Sequence, residues 1–193
     1  MSSPSDQGLK RILAAALTLF GRHGFQRTSM ADIAREAGIA RATLYLRFSE
    51  KSALFAALAA LLVDEALARA ETAWVRGAPL SENIAATLLA KDLGFFHMLN
   101  ATPHGAELLE LHAEMTTAHV ARLDARFASL LARRGREAAQ EGADLTAFGN
   151  ADGFAAFVAT AGSGLKHEAH TEEAFRSAIE RLARVSARAA GQT

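Results

Sequence analysis

Between Thr28 and Lys51 the chain reads TSMADIAREAGIARATLYLRFSEK, two short helical patterns divided by one glycine. No other stretch limits the fold as much. Ser29 stands as a helix N-cap, with Asp32 three residues on as a shortened capping-box partner. Met30, Ile33, Ala34 and Ala37 recur at helical spacing, and Gly38 falls where a helix end wants a left-handed residue. Ile39 can plug the turn. The next pattern predicts a short helix over residues 41–47 that carries Leu44 and Phe48 inward and turns Arg41, Ala42, Thr43, Tyr45 and Arg47 outward. Together these features predict a helix-turn-helix. Small residues would admit its second helix to a major groove, where Arg, Thr and Tyr reach bases and phosphates. Thr28 and Ser29 at the start of the first of these helices, and Lys51 in the first turn of the following one, are placed to meet phosphate.

Formal net charge is zero over 193 residues, which taken alone argues against nucleic acid. Its distribution argues the other way. Residues 1–52 hold eight Lys/Arg against four Asp/Glu, and the remainder holds thirteen against seventeen. A basic first quarter and an acidic remainder fit a DNA-facing domain joined to one that avoids phosphate. The absence of cysteine excludes disulfides, thiol catalysis and thiolate metal sites. The opening MSSPSDQGLKR has no long apolar core, so no signal peptide is expected, and no apolar run approaches the ~20 residues of a membrane span. A cytoplasmic protein with no membrane association is the expectation.

IAREAGIARATLYLRFSEKSALF, at residues 33–55, resembles the DNA-binding signature of TetR/AcrR-type bacterial transcriptional regulators. That signature runs apolar-Ala, Ala-Gly-apolar, a small-residue pair, Thr-Leu-Tyr, an aromatic-basic-Phe, then Lys and Leu. The likeness extends back through ILAAALTLFGRHGFQRTS and covers about residues 9–58. It implies an all-α fold: an N-terminal three-helix bundle with the helix-turn-helix over residues 8–52, joined to a larger helical effector-binding and dimerisation domain over 53–193, about nine helices in all. It also implies a homodimer, double-stranded DNA with a palindromic operator, and a small-molecule effector. Most of the family are repressors. Three positions depart from the habit. Ala40 replaces Ser, leaving the recognition helix less well capped; Leu46 replaces an aromatic; and Arg47 replaces a frequent His, giving a charge that pH does not switch. Leu46 joins the candidate DNA-contacting set.

Elsewhere the chain reads as a series of amphipathic helices. Leu9, Ile12, Leu13, Ala16, Leu17 and Phe20 share one face of the first, which stops at Gly24 with Phe25 tucked beneath; Lys10 and Arg11 lie on its solvent side. An Ala/Leu-rich helix over about 50–74 ends at Gly77, Ala78 and Pro79. Ser81 is expected to cap the next, which NATPHG at 100–105 breaks. Two helices are expected over 103–141, with a kink near Gly135, and RRGRE at 133–137 reads as a solvated helix end. Helices over about 145–165, and from a Thr171 cap onward, complete the chain. In the family the last two helices pair with those of a second subunit, which implies Phe154, Phe157, Val158, Ala161, Phe175, Ile179 and Leu182 as the dimer interface.

For other chemistry the residues offer little. His97, His104, His112 and His119, with Glu107, Glu110 and Glu114 nearby, contain no His-x-x-x-His pair, so no metal is expected. No nucleophile elbow or phosphate loop occurs, so no catalytic residue and no cofactor is expected, and the chain does not read as an enzyme. The resemblance implies an effector pocket, for which Trp74, Phe95, Phe96, His97, Met98, Leu111, Met115 and Phe127 are the candidates. That set holds few cations, which predicts an apolar or weakly polar effector. Two rivals remain: a helical ligand-binding protein that carries an incidental helical hairpin, and a dimeric DNA-binding adaptor with no chemical effector.

Overall fold

The computed structural model describes residues 4–105, 108 and 117–192. Among these residues the fold is all helical. In chain order the helices are α1 (Pro4–His23), α2 (Met30–Glu36), α3 (Arg41–Arg47), α4 (Lys51–Ala73), α5 (Leu80–Ala101), α6 (Thr117–Gln140), α7 (Ala151–Glu168) and α8 (Glu172–Ala189), with a 3-10 turn at Thr146–Phe148. The further helix expected to begin near residue 103 falls largely outside the described residues.

The chain forms two compact units, one of residues 1–63 with 98–120, the other of residues 64–97 with 121–193. The first unit therefore holds more than the 8–52 segment drawn from the sequence. It takes in the first half of α4, because Leu54, Phe55 and Leu58 bury the apolar faces of α1–α3. Ile12, Leu13, Ala16 and Phe20 of α1 meet Ile33, Ala34 and Leu44 there, all at most 2% exposed. Phe20, Phe25 and Phe55 form a ring cluster with centroids 5.3–5.8 Å apart. Arene contacts of this kind add to area burial and fix side-chain orientation.

In the second unit the core comes from Ile84, Leu88, Phe96, Phe127, Leu131, Phe154, Val158, Phe175 and Ile179. Phe96 lies flat on Phe175, with centroids 4.9 Å apart and planes 4° from parallel. Several sequence expectations are corrected here. α5 already begins at Leu80, so Ser81 lies inside its first turn; the preceding loop is closed instead by buried Asn83, which accepts from Val75 N and donates to the carbonyls of Val75 and Ala78. α6 runs through Gly135 as one helix to Gln140. The helix expected from Leu145 starts at Ala151, where Asn150 accepts from Asp152 N and Gly153 N. Among the cations of RRGRE, Arg133 pairs with Glu71 of α4 at 2.6 Å, and Arg134 with Glu137 of its own helix at 2.8 Å. Arg134 also reaches the Glu71 carbonyl, because its guanidinium lies half-buried near Trp74. Thr171 caps α8 through Ala174 N.

Candidate nucleic-acid interface and ligand cavity

The turn between α2 and α3 is fixed by its own chemistry. Ser29 Oγ accepts from Asp32 N, and Asp32 returns a carboxylate oxygen to Ser29 N. The Ser29 hydroxyl, and Arg35 after it, hold the Asp32 carboxyl below its usual range. At the other end Gly38 adopts φ +64°, and Ile39 N donates back to Ala34 O at 3.0 Å. Only glycine takes that conformation without cost. Arg11 of α1 adds a charged donor to the same turn, reaching Ala37 O at 2.7 Å. No helical stripe could have revealed that contact, since the partners are 26 residues apart.

From this turn α3 emerges with one buried side chain, Leu44, and an otherwise exposed surface. Arg41, Ala42, Thr43, Tyr45, Leu46 and Arg47 all face solvent, Leu46 at 87% exposure. As expected from Ala40, no side chain caps the helix start. Neither Arg41 nor Arg47 has an ion pair or hydrogen bond among the described residues, so both guanidinium groups are available for phosphate or base edges.

Two of the expected phosphate contacts are occupied inside the fold. Thr28 is buried, and its hydroxyl donates to the carbonyls of Gly24 and Leu19 at 2.8 and 3.3 Å. Lys51 donates to Phe25 O at 2.6 Å, Thr28 O at 2.8 Å and Gln26 O at 3.2 Å, with its ammonium 4.4 Å from the Phe25 ring centroid. All three ammonium protons are thereby used. Burial pushes this ammonium below the ordinary lysine range. Both corrections share one setting: carbonyls gathered at the α1–α2 corner draw in a nearby hydroxyl and a nearby cation as donors.

Residues 12–58 match the model of the family described as bacterial regulatory proteins, tetR family. Over that segment the chain is similar to the tetR family. Among relatives, the HTH-type transcriptional regulator YvdT of Bacillus subtilis (strain 168) is 40% identical over 58 residues, 30% of either chain. The chain thus spans about 30% of the length of the curated relatives it matches. Solved structures extend the likeness in fold alone. A transcriptional regulator from Cytophaga hutchinsonii superposes with a TM-score of 0.72 at 18% identity, covering 93% of this chain and 96% of that one. The SmeT–triclosan complex gives 0.65 at 18% identity, over 94% and 88%.

The six effector-pocket candidates among the described residues do not converge on one site. Leu111 and Met115 lie outside the described residues, as do His112, Glu107, Glu110, Glu114 and the side chain of His119. Met98 belongs to the first unit. Phe96 is core against Phe175, and His97 is exposed, pairing with Glu172 at 2.8 Å. Trp74 borders a cavity of about 470 Å³ near Asn83 and Gln192. Phe127 alone lines the larger cavity of about 600 Å³, which opens between α6 and α7. Phe95 is outside that lining, with the Lys166 ammonium 5.6 Å from its ring centroid. What the sequence reading missed is charge: Lys91 also lines this cavity, beside buried Asp92. A Lys-Asp pair inside the apolar run TLLAKDLGFF was the available signal.

The expected dimer set also divides. Phe154, Val158, Phe175 and Ile179 are fully buried within the protomer and cannot meet a second copy. Periodicity marks an apolar face but not whether its own chain covers it. Of that set Phe157 remains 46% exposed, with Ala161 and Leu182 half-buried; Val185, which lies outside it, is 60% exposed. Among the described residues no three His, Asp or Glu side chains gather as a metal site, and no helix is long and apolar enough to cross a membrane.

Proposed function

We propose that the protein is a DNA-binding transcriptional regulator, acting as a homodimer on a palindromic operator and released from it by a small molecule, most simply as a repressor. The observation that carries this reading is α3, a short helix with one buried residue and every other side chain presented outward. Its composition suits a major groove: Ala42 permits close approach, while Arg41, Thr43 and Tyr45 can reach base edges. Leu46 offers an apolar surface to a thymine methyl, and Arg47 a permanent charge to phosphate. Two such helices would enter successive major grooves about 34–36 Å apart.

A chemical effector is favoured over the effector-free adaptor by the cavity of about 600 Å³, a size that suits an organic ligand. A structural neighbour crystallised with triclosan supports the same reading. Effector binding would change the separation of the two reading heads through α4, whose residues belong to both units.

Sequencing genomic fragments retained by the protein identifies the operator, and two substitutions then test the roles. Arg47→Ala is expected to weaken operator and random DNA alike and to reduce the salt dependence of binding by about one phosphate contact. Thr43→Ala is expected to narrow the gap between operator and random sequence. Equal loss on both DNAs for Thr43→Ala contradicts the assignment of that residue, and retention of no fragment at all contradicts the regulator.

A further inference from the structure

Charge buried inside a helical unit is costly unless it is paired, so the cluster around Asp92 requires an account. Asp92 is fully buried, and its Oδ1 accepts from Lys91 Nζ at 2.8 Å and from Lys166 Nζ at 3.4 Å. Its Oδ2 has no donor from the protein among the described residues. Lys91 is itself only 4% exposed, with its ammonium 4.7 Å from the centroid of the Phe127 ring. One lysine would neutralise one aspartate. Two leave the cluster with a positive excess, which stability alone does not require. Thr87, one helical turn before Lys91 on the same face of α5, is also fully buried and its hydroxyl has no protein partner.

The excess charge borders a cavity. Lys91 lines the space of about 600 Å³ between α6 and α7, whose walls include Phe127, Ala128, Ala159 and Ser163. Lys91 gives one N–H to Asp92 and keeps the others. Asp124, which is exposed, stands at the rim.

We propose that this cavity takes a small organic acid, with the anionic head on the Lys91 ammonium and an apolar body along Phe127 and the alanines of α6 and α7. A cation is opposed by both lysines. A second anionic group on the ligand is opposed by the Asp124 carboxylate. A neutral acceptor forgoes the charge-assisted part of the bond. The proposal rests on the regulator reading only in calling this ligand an effector; occupancy of the cavity stands apart from DNA.

The test is calorimetric titration of the full chain with octanoate and 2-naphthoate, each against its own carboxamide, and with octylamine. Both acids, or the better-fitting one, should bind about tenfold or more tightly than the matching amide, and the amine should not bind. Lys91→Met should bring the acid to the level of the amide. Because that variant leaves Asp92 with one distant cation, a second variant acts on the cavity alone: Ala159→Leu, at a half-exposed lining position, should abolish binding of acid and amide together. Equal affinity for acid and amide, binding of neither acid, preference for the amine, or indifference to Ala159→Leu overturns the proposal. DNA retention is measured separately. Acid binding without any DNA binding removes the regulator and leaves the site, whereas operator binding without acid binding removes the site and leaves the regulator.

Discussion

Replacing Lys51 by Met separates a fold-holding cation from a phosphate-holding one. Met keeps the length of the stem over Phe25 and deletes only the ammonium. Two of the three hydrogen bonds end on part-buried carbonyls, Phe25 O at 2.6 Å and Thr28 O at 2.8 Å; the third, Gln26 O at 3.2 Å, is exposed and water can replace it. Hydrogen bonds to charged groups contribute about 1.5–3 kcal/mol each. Two such bonds, set against the desolvation that already pushes the ammonium down, leave an expected loss of about 2–3 kcal/mol. The assay is urea unfolding followed through NMR signals of residues 12–58, alongside operator binding at several salt concentrations well below the unfolding midpoint. The expected result is a lower midpoint with an unchanged salt slope. A phosphate contact would instead reduce the slope by about 0.9 and leave the midpoint in place. That second pattern would refute the reasoning and return Lys51 to the DNA interface.

Two further outcomes concern the second unit. Gly162→Ala would set a Cβ 2.7 Å from Cδ2 of Leu88, a fully buried side chain with little room to retreat, so a loss of about 1–3 kcal/mol is expected in thermal unfolding followed by Trp74 fluorescence; a raised midpoint would contradict this. Phe157→Glu combined with Val185→Glu alters two exposed apolar positions on α7 and α8, and should leave the proposed homodimer a folded monomer in analytical ultracentrifugation. A dimer that persists at micromolar concentration would place the interface elsewhere.

Legibility in the sequence followed the range of the interaction. Ser29 with Asp32, Gly38 with Ile39, and Leu44 as the buried member of α3 were all readable, because capping and periodicity act within four or five residues. The caps at Thr171 and the bareness of Ala40 were readable for the same reason. Contacts made across the fold were not. Arg11 to Ala37 and Lys51 to Phe25 each join residues 26 apart, and a solvent-facing stripe gives no sign of them. The failure at Phe154, Val158, Phe175 and Ile179 is of one kind with these. Apolar periodicity shows that a face must be covered, and only tertiary packing decides whether the cover is intramolecular.

The same limit bears on how a basic segment should be weighed as evidence for DNA. Residues 1–52 carry eight Lys/Arg, yet Arg11, Arg27, Arg35 and Lys51 all donate to carbonyls, a carboxylate or a ring nitrogen of their own unit. These four remain positive and contribute to the long-range field that draws a polyanion in. They are poorly placed for close contact, because engaging a phosphate would leave partners such as Ala37 O or Thr28 O unpaired. Short-range recognition falls instead to cations with no internal partner, and on α3 those are Arg41 and Arg47. Of the four cations left unspent, Lys10 and Arg22 lie on α1, while Arg41 and Arg47 bracket Ala42, Thr43, Tyr45 and Leu46 on one exposed helix. Only the pair on α3 stands beside side chains that could read base edges, on a single seven-residue element.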